Sequence, residues 1–127
     1  MAGNLSNYLE NKILDHILGT TSYTMPTPVY LALYTVAPTD AGGGTEVAGG
    51  SYVRKTVTFT VASGGATSND SNVDFNGMPA CTVVAVGVFD ALTSGNLLVY
   101  GGLTANKTID SGDILRIATG DLDITID

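Results

Sequence analysis

The chain has 127 residues and carries 12 acidic side chains against 5 basic ones, a net charge of −7, with a charged share of 13%, about half that of an ordinary soluble domain. One domain spanning 1–127 is expected, and the acidic balance argues against direct nucleic-acid partners, because few basic groups exist to displace condensed counterions. No apolar run approaches the roughly 18 residues of a membrane-spanning helix, so no membrane partner is expected; residues 1–20 carry Glu10, Lys12, Asp15 and His16 where a secretory signal would be basic and then apolar.

Residues 1–20 read as the N-terminal helix. Leu5, Leu9, Ile13 and Ile17 recur every four residues, with Tyr8 and Leu18 widening the stripe. Asn4 or Ser6 can cap the start, and Gly19 followed by two threonines ends it. A lone helix of this length is marginal in water and must dock, either on its own sheet or on a neighbouring subunit.

From residue 28 to 127 the pattern is that of strands. Met25-Pro26-Thr27-Pro28 cannot be helix interior. Val29–Thr35 is an apolar run of strand length with Tyr30 and Tyr34 on one face. Tyr52–Val61 alternates strictly, Val53, Val57, Phe59 and Val61 pointing one way and Tyr52, Arg54 and three threonines the other. Asn72–Phe75 is a short strand. Cys81–Phe89 is a nearly continuous β-branched run, which predicts a central strand covered on both faces. Turns at 90–96 and 110–113 bound Leu97–Leu103 and Ile114–Ile117, and Leu122, Ile124 and Ile126 alternate with polar residues to the end. Short strands separated by Gly/Asp/Ser/Asn turns predict a mainly β fold: an antiparallel β-sandwich, jelly-roll-like, with one N-terminal helix. The glycine-rich stretch from Pro38 to Ser51 is long for a connection, and long ordered loops are usually functional.

Reactive chemistry is thin. The single cysteine, Cys81, and the single histidine, His16, exclude an internal disulfide and a His/Cys zinc site. Asp15 adjoins His16 in sequence, and neighbours on a helix do not face each other, so a Ser–His–Asp arrangement is poorly served. Cys81 opens the most apolar strand, where an inert thiol is the natural reading. Of ten aspartates, Asp110 and Asp113 share a turn and Asp121, Asp123 and Asp127 gather near the C-terminus. Calcium would suit such oxygens, but the Asp-x-Asp-x-Asp-Gly loop is absent and turn formation explains them. No catalytic residue, cofactor or metal is expected.

A threonine- and glycine-rich, weakly charged β protein suits a building block. Low charge density reduces the desolvation cost of burying area between subunits, and symmetric self-assembly follows. The strings Val29–Thr35, Pro38-Thr39-Asp40, Gly44-Thr45-Glu46-Val47 and Gly50-Ser51-Tyr52-Val53-Arg54 resemble a family of small structural proteins of tailed bacteriophages. Leu5–Asn11, Val86–Asp90, Gly95–Tyr100 and Lys107–Asp113 fit in the same order. The resemblance covers almost the whole chain and implies a non-enzymatic virion component, assembled in the host cytoplasm. Its leading version is a capsid-decorating (cement) protein, a homo-oligomer and most simply a trimer, bridging subunits of the major capsid protein. The alternatives are a tail-associated or fibre-base protein with tail-protein partners, and a host-surface carbohydrate- or calcium-binding module. Candidate interface residues are Leu5, Tyr8, Leu9 and Ile13 on the helix, Tyr30 and Tyr34 on the first long strand, and Glu46, Tyr52 and Arg54. The last pair of charges could join within or between subunits, or form a solvated pair of little energetic consequence.

Overall fold

The computed structural model describes residues 2–126. In chain order the elements are β1 (Ala2–Leu5), α1 (Asn7–Ile17), β2 (Val29–Val36), β3 (Thr45–Glu46), β4 (Lys55–Val57), β5 (Ala66–Ser68), β6 (Val73–Phe75), β7 (Cys81–Phe89), β8 (Leu97–Ile109), β9 (Leu115–Ile117) and β10 (Asp123–Thr125). The fold is mainly β with one helix near the N-terminus, as the alternation and turn spacing predict.

The β-branched runs form the centre. β7 lies between β2 and β8, and the main sheet runs β3-β2-β7-β8-β1-β10-β5, with β4 on the same edge of β2 as β3. Among the described residues all strand pairings are antiparallel but one: β1 runs parallel to β10, Ala2 opposite Asp123. That exception needs no crossover, because the two strands come from opposite ends of the chain. β6 and β9 form a separate two-stranded sheet.

Two apolar clusters sit on opposite faces of the central strands. Leu31, Leu33, Val86, Val88 and Leu98 join Val73 and Phe75 of β6 and Leu115 of β9 in the larger one, which fills the space between the two sheets. Ala32, Tyr34, Ala85, Phe89 and Leu97 form the smaller. The assignment of neighbours to opposite clusters follows the two-residue period of a strand. It breaks at two register shifts: between Val83 and Ala85, where four residues of β8 (103–106) stand opposite Val84 alone, and between Val88 and Phe89, beside which Leu98 and Val99 both join the larger cluster.

Three expectations need correction. The N-terminal helix does not occupy 1–20: β1 precedes it, and Ser6 is its N-cap, extended at φ −75° and ψ 158° with its side chain accepting from the Leu9 N–H. The cause is pairing of Asn4 and Leu5 with Tyr100 and Val99 of β8, which holds these residues extended. The strand read over Tyr52–Val61 shortens to Lys55–Val57, and its alternation does not hold at the ends. Val53 and Val61 are exposed while Arg54 is buried and Tyr52 half-buried, because the chain leaves the ladder on either side of β4 and the parity of a strand no longer applies. The strand begun at Leu97 continues to Ile109, past the expected end at Leu103.

Candidate interaction surface

Leu5, which lies on β1 and not on the helix, packs against the larger cluster together with Tyr8 and Leu9 of α1, and Ile13 is half-buried. At 100° per residue, Tyr8, Leu9, Lys12 and Ile13 share one side, which faces the sheet. Strict i+4 spacing advances 40° at each step, so the Leu5–Leu9–Ile13–Ile17 stripe winds off that side. Ile17 and Leu18 are each 72% exposed and Leu14 is 56% exposed. These three stand at i, i+3 and i+4 spacing on the outer side, a second apolar stripe that the sequence pattern contains but the fourfold count conceals. Met25, in the segment after the helix, is 75% exposed.

The helix start is fixed to the sheet by Ser6, which is buried. Its Oγ donates to the Leu97 carbonyl and accepts from the Leu9 N–H at 3.2 Å. The Asn7 N–H donates to the Asp40 carbonyl at 2.9 Å, and the Tyr100 hydroxyl donates to the Asp40 carboxylate. The glycine-rich loop is therefore tied to both helix and sheet. That hydrogen bond to Asp40, with burial, raises the Tyr100 pKa.

Tyr30 is half-buried and Tyr34 buried. Tyr34 belongs to the smaller cluster, its ring leaning over Gly87, where a Cβ would lie 3.1 Å from Tyr34 Cε2 and 2.8 Å from Leu97 Cδ1. Burial, with the nearby charge of Glu46, pushes its pKa up to about 12.

Glu46, Tyr52 and Arg54 meet inside the chain. Arg54 Nε donates to Glu46 Oε2 at 3.0 Å and Nη2 to Oε1 at 2.8 Å, a two-point pair. Nη1 donates to the Ala91 and Ser94 carbonyls at 2.9 and 2.7 Å, and the guanidinium carbon stands 3.7 Å from the Phe89 ring centre. Tyr52 Oη donates to Glu46 Oε2 at 2.8 Å and accepts the Leu33 N–H at 3.0 Å, while its ring stacks on Phe75. The Arg54 side chain is 8% exposed and that of Glu46 28%. This is a largely buried pair, not a solvated one. It clamps β3 and the 90–96 turn onto the sheet. Burial pushes the Tyr52 pKa well up. Burial also pushes the Arg54 pKa down, but the hydrogen bonds and charge of Glu46 outweigh it and hold it above its ordinary value.

The remaining polar candidates do not converge. His16 is exposed, its Nδ1 accepting the Tyr23 N–H at 3.1 Å. Cys81 is half-buried, and burial raises its thiol pKa. The Asp113 N–H donates to the Asp110 carbonyl at 3.1 Å, which closes the turn. Asp121 and Asp123 are exposed, and Asp127 lies outside the described residues. Among the described residues no group of three or more His, Cys, Asp or Glu side chains could hold a metal ion.

A family model described as "Podophage GP4 fiber I protein gp80" matches residues 4–125. No curated protein matches the chain.

Proposed function

The chain belongs to the podophage GP4 fiber I protein gp80 family, a family of phage virion structural proteins, and on that premise we propose that it serves as a non-enzymatic subunit of a virion fibre. The match over residues 4–125 carries the reading, and it favours the fibre over the capsid-cement alternative. Self-association through uncharged surface is the mechanism we attach to it. Leu5, Tyr8, Leu9, Tyr34, Tyr52 and Arg54 are engaged within the chain. The outer helix stripe of Leu14, Ile17 and Leu18, with Ile13 and Tyr30 at half-buried margins, is then the surface open to a second copy. The three exposed side chains amount to roughly 300 Å² of apolar surface, the lower end of the range for the largest patch on a typical monomer, which is often functional.

Quantitative mass spectrometry of purified virions tests the assignment. A fibre subunit is present in few copies and is absent from tail-less, fibre-less heads. Copy numbers matching the capsid lattice, with retention on isolated heads, would replace the fibre reading with the cement one.

A further inference from the structure

The start of α1, the glycine-rich loop and the 95–96 turn line a half-open cavity of about 400 Å³, at the lower end of the ~300–1,000 Å³ typical of small-molecule sites. Its apolar surface comes from the smaller cluster: Tyr34, Phe89 and Leu97. Its polar lining includes Ser6, Asn7, Asp40 and Asn96, with Tyr8 and Gly43 beside them.

Several polar groups here have no use inside the protein. Tyr34 is only 4% exposed, lines the cavity, and its hydroxyl has no hydrogen-bond partner among the described residues. That hydroxyl is not sealed off from solvent, so it stands open to a ligand as donor or acceptor. At the helix start the Asn7, Leu9 and Glu10 N–H groups are taken by Asp40 O, Ser6 Oγ and Ser6 O, which leaves that of Tyr8 free. Asn96 donates through its amide nitrogen to Asp90 Oδ2 at 2.9 Å, leaving its carbonyl oxygen to accept. The Tyr100 hydroxyl occupies Asp40 Oδ1, leaving Oδ2. Beside the cavity, the ring of Tyr23 meets that of Tyr8 edge-on, and the Tyr23 hydroxyl is buried without a partner among the described residues.

We propose that this cavity is a binding site for a neutral saccharide ring. The argument is one of sign. The helix N-terminus and free N–H groups disfavour a cation, and the Asp40 carboxylate, on a chain of net charge −7, disfavours an anion. A wall with carboxylate and carbonyl acceptors beside N–H and phenol donors matches hydroxyl groups, which both donate and accept. Aromatic floor residues match the apolar C–H face of a sugar ring. Gly87 matters to the shape, since a Cβ there would lie 3.1 Å from Tyr34 Cε2 and 2.8 Å from Leu97 Cδ1. The inference does not depend on the fibre assignment.

The test is a titration of the full, nitrogen-15-labelled chain with methyl glucoside, methyl galactoside and methyl mannoside, read as amide shifts, with glucuronate as the charged control. At least one neutral glycoside should shift the Tyr8, Gly43 and Asn96 amides with a millimolar Kd, and glucuronate should bind more weakly. Tyr34→Phe keeps the ring but removes the hydroxyl, and should raise Kd about 2- to 10-fold; Asp40→Asn should raise it about 10-fold or more. Native-like spectra of the free variants establish that each has folded. The proposal is overturned if none of the three glycosides moves those amides, if both variants bind as well as the parent, or if glucuronate binds as tightly as the neutral sugars.

Discussion

Replacing Arg54 by methionine removes a two-point pair to Glu46, two hydrogen bonds to the Ala91 and Ser94 carbonyls, and the contact with the Phe89 ring, while keeping most of the side-chain volume. Losing one member of a fully buried pair costs about 3–5 kcal/mol. Glu46 retains 28% exposure, so water recovers part of its solvation, and the expected cost is about 2–3 kcal/mol. Against a total stability of roughly 5–15 kcal/mol that is a large fraction. Urea unfolding should show the midpoint falling by about 1–2 M at unchanged slope. Glu46→Gln keeps an acceptor for Arg54 and for the Tyr52 hydroxyl but leaves the guanidinium without its counter-charge, and should cost about 1–2 kcal/mol. In the double variant the losses should fall short of additivity by about 1 kcal/mol or more. Arg54→Lys should not rescue, because one ammonium cannot reach both carboxylate oxygens and two carbonyls at once. A cost below about 0.5 kcal/mol for Arg54→Met would place the pair among ordinary surface contacts and refute the reasoning; so would additive losses.

Three further outcomes follow from the same structure. Ser6→Ala should cost about 1–2 kcal/mol in urea unfolding, because it removes the helix cap and leaves the buried Leu97 carbonyl without its donor. Stability should fall above pH 10: the folded state holds the Tyr34 proton up to about 12 and the Tyr52 proton higher still. The unfolded chain releases both from 10 upward, so their contribution is complete below 10 and declines by at most ~1.4 kcal/mol per pH unit per tyrosine above it. Urea midpoints across that range check this, and Tyr52→Phe should flatten the decline. Gly87→Ala should destabilise by about 1–3 kcal/mol by thermal unfolding, since its methyl would press on Leu97 and Tyr34.

How much of this was legible in the sequence differs by element. Cys81–Phe89 was readable as a central strand because a run of β-branched residues has few other stable fates, and the turns at 90–96 and 110–113 because Asp, Ser, Asn and Gly announce them. Tyr52–Val61 misled because alternation reports a strand's two faces only while the strand lasts. Arg54 sits on the side expected to be wet, and it is buried because Glu46 and two carbonyls from a distant turn arrive to meet it, a coincidence no local pattern records. Leu14 is similar: its exposure depends on which side of α1 the sheet takes. The cavity depends on residues 8, 34, 40 and 96 meeting through tertiary structure, and of these the sequence singles out Tyr8 and Tyr34 as contact residues, neither as part of a shared site.

The charges decide how copies of this chain can meet. Among the described residues the ion pairs join Arg54 to Glu46 and Arg116 to Asp74, and Lys12 stands 5.5 Å above the Tyr8 ring centre. Three of the five basic groups are thus engaged within the chain, which leaves an acidic exterior. Two copies repel at long range, and contact through Leu14, Ile17 and Leu18 must overcome that repulsion. Salt screens the repulsion within about 10 Å at 0.1 M while leaving apolar attraction intact, so added sodium chloride should strengthen self-association. Light scattering coupled to size exclusion should show the larger species growing from low to moderate salt. Leu14→Ser with Ile17→Ser should abolish it while changing monomer stability by less than about 0.5 kcal/mol, as exposed positions do. Dissociation on adding salt would mean that ion pairs hold the copies together, and the helix stripe would lose its role.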